Sequence, residues 1–217
     1  GDVNGDGYAD MLIAAPYAAP GGDSSAGETY VVFGKSESFG ASVDLSALDG
    51  SDGFVLKGID EDDFSGYSVS TAGDVNGDGY ADILIGARLA DPGGVINAGE
   101  TYVVFGKGSG FGASVDLSAL DGRDGFVLRG IDSVDYSGNS VSSAGDVNGD
   151  GYADMLIGAY LADPDGESKA GETYLIYGRD FTGSVTQEGG VSAETLTGSS
   201  GVDILVGGGG DDRLEGD

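Results

Sequence analysis

The sequence predicts an all-β chain of repeated four-stranded units, and three observations carry that prediction. The nine letters DVNGDGYAD stand at 2–10, 74–82 and 146–154, so successive copies lie 72 residues apart. Around them run short apolar segments, rich in β-branched and aromatic residues and bounded by Gly, Asp and Ser, which favour turns over helix interiors. Helix is a minor element: DLSALDG, at 44–50 and 116–122, is a short candidate, opened by Asp or Ser as a cap and ended by Gly.

The elements follow from the period, which takes precedence over local propensity. Residues 53–122 match 125–185 almost throughout, and the middle copy carries strand-length segments at 53–59, 67–72, 82–87 and 100–105. Four strands joined by tight turns are the pattern of a β-propeller blade. A stacked solenoid is the competitor, for which 72 residues make a long rung. The first copy retains only segments at about 10–15 and 28–33. The expected divisions are a partial blade over 1–50, blades over 51–122 and 123–185, a linker over 186–197 and a separate tail over 198–217. Two strands alone leave an open sheet edge, and open edges invite pairing. Residues 1–34 are therefore expected to be completed from elsewhere, by upstream chain or by a neighbouring copy in an oligomer or filament.

Charge narrows the function. With 38 acidic residues, 9 basic ones and no histidine, the formal charge is −29, a self-repulsion that cations relieve. Nucleic acid is excluded as a partner, because it requires a basic surface. The absence of Cys and His removes disulfides, thiolate metal sites, the commonest zinc ligand and the usual general base. With no nucleophile elbow either, the chain is expected not to be an enzyme. No apolar run reaches the roughly 20 residues of a membrane span, and the first ten residues lack the regions of a signal peptide.

The nonapeptide fits a divalent cation. Counting its first Asp as position 1, oxygen-bearing side chains fall at 1, 3, 5 and 9, and the Tyr at 7 offers its main-chain carbonyl. The predicted ligands are Asp2, Asn4, Asp6, Tyr8 and Asp10; Asp74, Asn76, Asp78, Tyr80 and Asp82; and Asp146, Asn148, Asp150, Tyr152 and Asp154. Hard oxygens at this spacing, with Gly at 6, are those of an EF-hand loop around Ca²⁺; magnesium demands a smaller octahedral shell. Position 12, a bidentate Glu in an EF-hand, is here Ile85, inside the strand DILIGA, so the ninth carboxylate is expected to close the site. A turn alone would accept many substitutes at each position.

The run DFSGYSVSTAGDVNGDGYADILIGA followed by AGETYVVFG resembles the FG-GAP repeat of the integrin α-chain β-propeller. The resemblance covers about residues 1–180. It implies a propeller, often of seven blades, with Ca²⁺ on one face and with adhesion to a protein or glycan ligand on a cell surface or matrix. The Pro that often closes the motif survives only as Pro16, being Arg88 and Tyr160 in the other copies.

In the tail, GSSGVDILV (198–206) and GGGGDDRLE (207–215) repeat with period nine. They resemble the RTX nonapeptide, which implies the start of a parallel β-roll with Ca²⁺ at Asp203 and Asp212. Gly-rich linker is the alternative. RTX tails resemble those of proteins exported by bacterial type I secretion, which implies a secreted or cell-surface, extracellular location. Elsewhere, the run Asp60, Glu61, Asp62, Asp63 reads as a solvated loop, because the third copy has DSVD there. Phe64 and Tyr136 occupy one position of the repeat and read as packing between blades.

Overall fold

The computed structural model describes residues 1–181 and the backbone of four short strands beyond them. The chain divides into two units, Gly1–Arg179 and Asp180–Asp217. The first unit holds β1 (Met11–Ala15), β2 (Glu28–Val32), β3 (Gly53–Lys57), β4 (Ser68–Gly73), β5 (Asp82–Ala87) and β6 (Glu100–Val104). It continues with β7 (Ser114–Asp116), β8 (Gly125–Arg129), β9 (Ser137–Gly145), β10 (Asp154–Ala159) and β11 (Glu172–Ile176). The strands of the middle repeat thus fall where the apolar segments place them. Both DLSALDG segments form short 3₁₀ turns, Leu45–Ala47 and Leu117–Ala119, capped by Asp44 and Asp116, whose carboxylates accept from the N–H of Ser46 and Ser118.

The strands of the first unit form three sheets, ordered β1-β2-β3-β7, β4-β5-β6-β8 and β11-β10-β9. Their boundaries do not coincide with those of the sequence repeats 1–50, 51–122 and 123–185. GFVLK (β3), the opening segment of the middle repeat, pairs antiparallel with β2 of the repeat before it, and GFVLR (β8) pairs in the same way with β6. The register explains the choice. It sets Phe54 opposite Val31 and Lys57 opposite Glu28, and in the next sheet Phe126 opposite Val103 and Arg129 opposite Glu100. Apolar residues face one another along the strand and opposite charges stand in register at its end; in the second sheet they form an ion pair, with Arg129 Nε 3.5 Å from Glu100 Oε1.

This phase corrects the expectation for residues 1–34 on the β2 side alone. They are not a two-stranded remnant, because β3 from downstream in the same chain continues their sheet and β7 adds a parallel strand beyond it. The edge of β1 opposite β2 is unpaired among the described residues.

Burial separates the middle sheet from the other two. Every residue of β5 is buried, whereas β1 exposes Met11 and Ile13. A strand covered on both faces reads as a continuous apolar run, as DILIGA does. The core gathers Val31, Phe54 and Leu56 of the first sheet with Ile83, Ile85 and Val104 of the second; Phe54 and Phe111 stack with ring centroids 4.1 Å apart. The Gly of the Gly-Ala pair in β5 has a packing reason. A Cβ on Gly86 would lie 2.0 Å from the carbonyl oxygen of Gly138 in β9.

In the second unit, β12 (Val185–Glu188) pairs parallel with β14 (Ile204–Val206), and β13 (Thr195–Thr197) pairs parallel with β15 (Arg213–Glu215). Asp203 and Asp212, the expected tail ligands, lie outside the described residues. Among the described residues, no helix is long and apolar enough to cross a membrane.

Candidate metal centres

The middle nonapeptide links β4 to β5, the third links β9 to β10 and the first leads into β1; in each copy the side chains build the turn. In the middle copy the Asp74 carboxylate accepts three backbone N–H bonds, from Gly77 (2.7 Å) and Asp78 (3.1 Å) on Oδ1 and from Gly79 (2.9 Å) on Oδ2. Asn76 Oδ1 accepts from Asp78 N at 3.0 Å, and Asp78 Oδ1 accepts from Tyr80 N at 2.9 Å. These are Asx turns in series, available because Asp and Asn reach the backbone two or more residues on. The first and third copies repeat each bond, beginning with Gly5 N to Asp2 Oδ1 at 2.8 Å and Gly149 N to Asp146 Oδ1 at 2.7 Å. The turns need left-handed backbone at position 4, where Gly5, Gly77 and Gly149 have φ of 76°, 77° and 77°.

The ring of bonds holds the first, third and fifth side chains of each loop together. Asn76 Nδ2 donates to Asp78 Oδ2 at 2.9 Å, setting an amide hydrogen against that carboxylate, and the other copies do the same. The ninth residue is placed differently. Asp82 is fully buried, and its two oxygens accept from Val75 N (2.8 Å) and Gly106 N (2.9 Å), which ties the start of the loop to the end of β6. Asp10 and Asp154 make the equivalent bonds, to Val3 and Gly34 and to Val147 and Gly178. The residue expected only to close a site is therefore also the peg that fixes the loop on its sheet. One N–H on each oxygen leaves each a second lone pair. Burial pushes the Asp82 carboxyl up to about 7, against the pull of the Gly106 and Val75 amides and with help from Asp78 and Asp74. Burial likewise raises Asp10.

Among the described residues, no group of three acidic side chains is by itself gathered so as to hold a metal ion. The loops supply further oxygens of another kind, the Asn side chain and the Tyr main-chain carbonyl. Carboxylate, amide and carbonyl oxygens with no nitrogen or sulfur donor suit a hard cation of calcium's type. In chemistry, the donor set fits such an ion.

The loops are also joined to one another. The carbonyl of Asp2 accepts from Ala81 N and that of Asp74 from Ala153 N, each at 2.9 Å. The carbonyl of Val3 accepts from Lys107 N and that of Val75 from Arg179 N, again at 2.9 Å. Each link spans from one loop to the next sheet.

The acidic run is not the uniformly solvated loop expected of it. Asp60, Glu61 and Asp62 are exposed as expected, but Asp63 is only 7 % exposed, and so is its counterpart Asp135. Burial pushes Asp63 up to about 7, and Asp60, Glu100, Asp91 and Asp62 push in the same direction. The available signal was recurrence, since of the four acids only the first and last return in DSVD. Of the aromatic pair, Phe64 lies 5.2 Å from the ring of Tyr17 across adjacent sheets, and Tyr136 lies 5.7 Å from Tyr160.

A family model described as FG-GAP repeat matches residues 1–32, 65–104 and 137–176, together more than half of the chain. Integrin alpha-7 of Mus musculus is 33 % identical over 163 residues, covering 75 % of this chain and 12 % of its own length. Integrin alpha-4 of Xenopus laevis is 29 % identical over 163 residues, covering 75 % and 14 %. Phosphatidylinositol-glycan-specific phospholipase D of Bos taurus is 29 % identical over 168 residues, covering 77 % and 19 %. The chain thus spans less than a fifth of the length of these relatives.

Proposed function

Because the chain belongs to the FG-GAP repeat family, we propose that it is a calcium-stabilised, non-enzymatic adhesion or assembly module of a secreted or cell-surface bacterial protein. The observation that carries the reading is the threefold loop, in which the same oxygen donors recur in the same hydrogen-bonded arrangement 72 residues apart. Each loop carries three carboxylates, whose mutual repulsion a divalent cation relieves. The ligands are the five residues of each loop, with the ninth carboxylate also serving as the peg. The similarity to integrin α-chains supports an extracellular role facing a protein or glycan ligand. In the tail, Thr195 pairs with Arg213, eighteen residues and so two nonapeptides later, which supports an RTX-type roll with calcium at Asp203 and Asp212. Assembly into a filament through the open edge of β1 is a variant of the same reading.

A second reading has its own support in the phospholipase D match. In it the chain is the accessory propeller of a larger secreted hydrolase, and the catalytic groups lie in another part of that protein.

Calorimetric titration of the full chain with CaCl₂ tests the first reading. The expected result is saturable binding at the three loops, with further sites if the tail is filled, and with Mg²⁺ much weaker. At a hundredfold excess over Kd each site adds about 2.7 kcal/mol, so chelation should lower Tm by well over 10 °C. Absence of binding together with an unchanged Tm in chelator would overturn the calcium reading. Lipase or phosphodiesterase activity in the isolated chain would overturn its non-enzymatic part.

A further inference from the structure

We propose that Tyr80 and Tyr152 are positioning residues that couple neighbouring cation loops, so that filling one loop tightens the one before it in the chain. The inference rests on the calcium reading and deepens it. Each of these tyrosines has two attachments. Its main-chain carbonyl is the seventh-position donor of its own loop, while its ring lies on the fourth-position glycine of the preceding loop. A Cβ on Gly5 would come within 2.4 Å of Tyr80 Cε1, and one on Gly77 within 2.5 Å of Tyr152 Cε1. The next residue adds a second link, because Ala81 N donates to the carbonyl of Asp2 and Ala153 N to that of Asp74, both at 2.9 Å. Those carbonyls belong to the first-position ligands. Positions 7 and 8 of one loop therefore hold positions 1 and 4 of the loop before it.

Two positions with no adjacent loop among the described residues provide an internal control. Tyr8 is 43 % exposed, and a Cβ on Gly149 would meet nothing within 4 Å. The contact is thus a property of adjacent loops and not of the nonapeptide itself. A cation that fixes the Tyr152 carbonyl also fixes the ring above Gly77 and the amide on Asp74. The middle loop then loses less conformational freedom when it binds in turn, which is positive coupling by pre-organisation. Linkage makes the effect reciprocal.

The test is a calcium titration of the full chain followed by ¹⁵N NMR, with the amides of Gly7, Gly79 and Gly151 reporting their own loops. Asp150→Ala, which disables the third loop, should weaken calcium binding at the middle loop about fivefold or more, within the range of ordinary allosteric coupling. Tyr152→Ala should weaken it comparably, Tyr152→Phe should restore the wild-type midpoint, and the double variant Asp150→Ala/Tyr152→Ala should add little. A middle-loop midpoint unmoved by Asp150→Ala, with calcium still bound there, would overturn the coupling and leave the calcium reading standing. No calcium-dependent shift at any of the three glycines would overturn the calcium reading itself. Should Tyr152→Ala fail to fold, Asp150→Ala still decides the coupling, and Tyr152→Leu, which removes the ring but keeps an apolar side chain, decides the ring's part in it.

Discussion

The loops at 74–82 and 146–154 share all nine letters and the same internal hydrogen bonds, yet they sit in different surroundings. In the middle loop Val75 is 0 % exposed and Asn76 is buried; in the third, Val147 is 53 % exposed and Asn148 lies open. The difference arises from the chain downstream of each loop. The carbonyls of Asp74 and Val75 accept from Ala153 and Arg179, and a further sheet covers that face. Among the described residues no such bonds reach Asp146 and Val147. Local sequence therefore sets the shape of a loop, and the neighbouring repeat sets its burial. Such nearest-neighbour dependence is how stacked repeats generally distribute stability.

The contrast is broken most severely at the fourth-position glycines. Gly77→Ala and Gly149→Ala both force a Cβ into left-handed backbone, at a cost of about 1–2 kcal/mol. Only Gly77→Ala also drives a methyl group into the Tyr152 ring, which raises its total to roughly 2–4 kcal/mol. Urea unfolding of the two variants in the same calcium buffer measures the gap. Equal losses would mean that the ring contact contributes nothing and that the loops stand alone.

Much of this arrangement is legible in the sequence. The 72-residue period, the strands at 82–87 and 100–104 and the Asx-rich turn all follow from residue type and spacing, because these features are local. The sheet phase is not local. GFVLK could close the sheet before it or open the one after it, and the choice depends on pairing Lys57 with Glu28 and Phe54 with Val31 across the preceding linker. The peg role of Asp82 is hidden for the same reason, since one of its two partners is Gly106, 24 residues away. Asp63 and Glu61 look alike in an acidic run until packing buries one of them.

Valine at position 2 sharpens the comparison at smaller scale. Val75→Ala removes two buried methyl groups and should cost about 1–2 kcal/mol, whereas Val147→Ala, at a half-exposed site, should stay within about 0.5 kcal/mol. Thermal unfolding of both variants reads this directly. A loss at Val147 equal to that at Val75 would imply that the third loop is covered in solution.

The smallest effect concerns the buried carboxylates Asp63 and Asp135, which occupy equivalent places in consecutive repeats. Asp63 is pushed up to about 7 by burial and by Asp60, Glu100, Asp91 and Asp62. Asp135 is also raised, by burial and by Asp132, Asp163 and Glu172. A carboxyl whose pKa is higher folded than unfolded binds more protons in the folded state between the two values. Stability is therefore fully present below the ordinary value of 3.8 and is lost as pH rises through about 7. Neutralising the group removes that loss. In chelator, wild-type stability should fall relative to Asp63→Asn as pH goes from 4 to 8, the two converging at pH 4 and differing by on the order of 1 kcal/mol at pH 8. Asp135→Asn should show the same sign with a smaller gap, since three acids rather than four push on it. Parallel wild-type and Asp63→Asn curves across that range would mean that the ionised Asp63 is held without cost, by a partner or by water at the seam between the first two sheets.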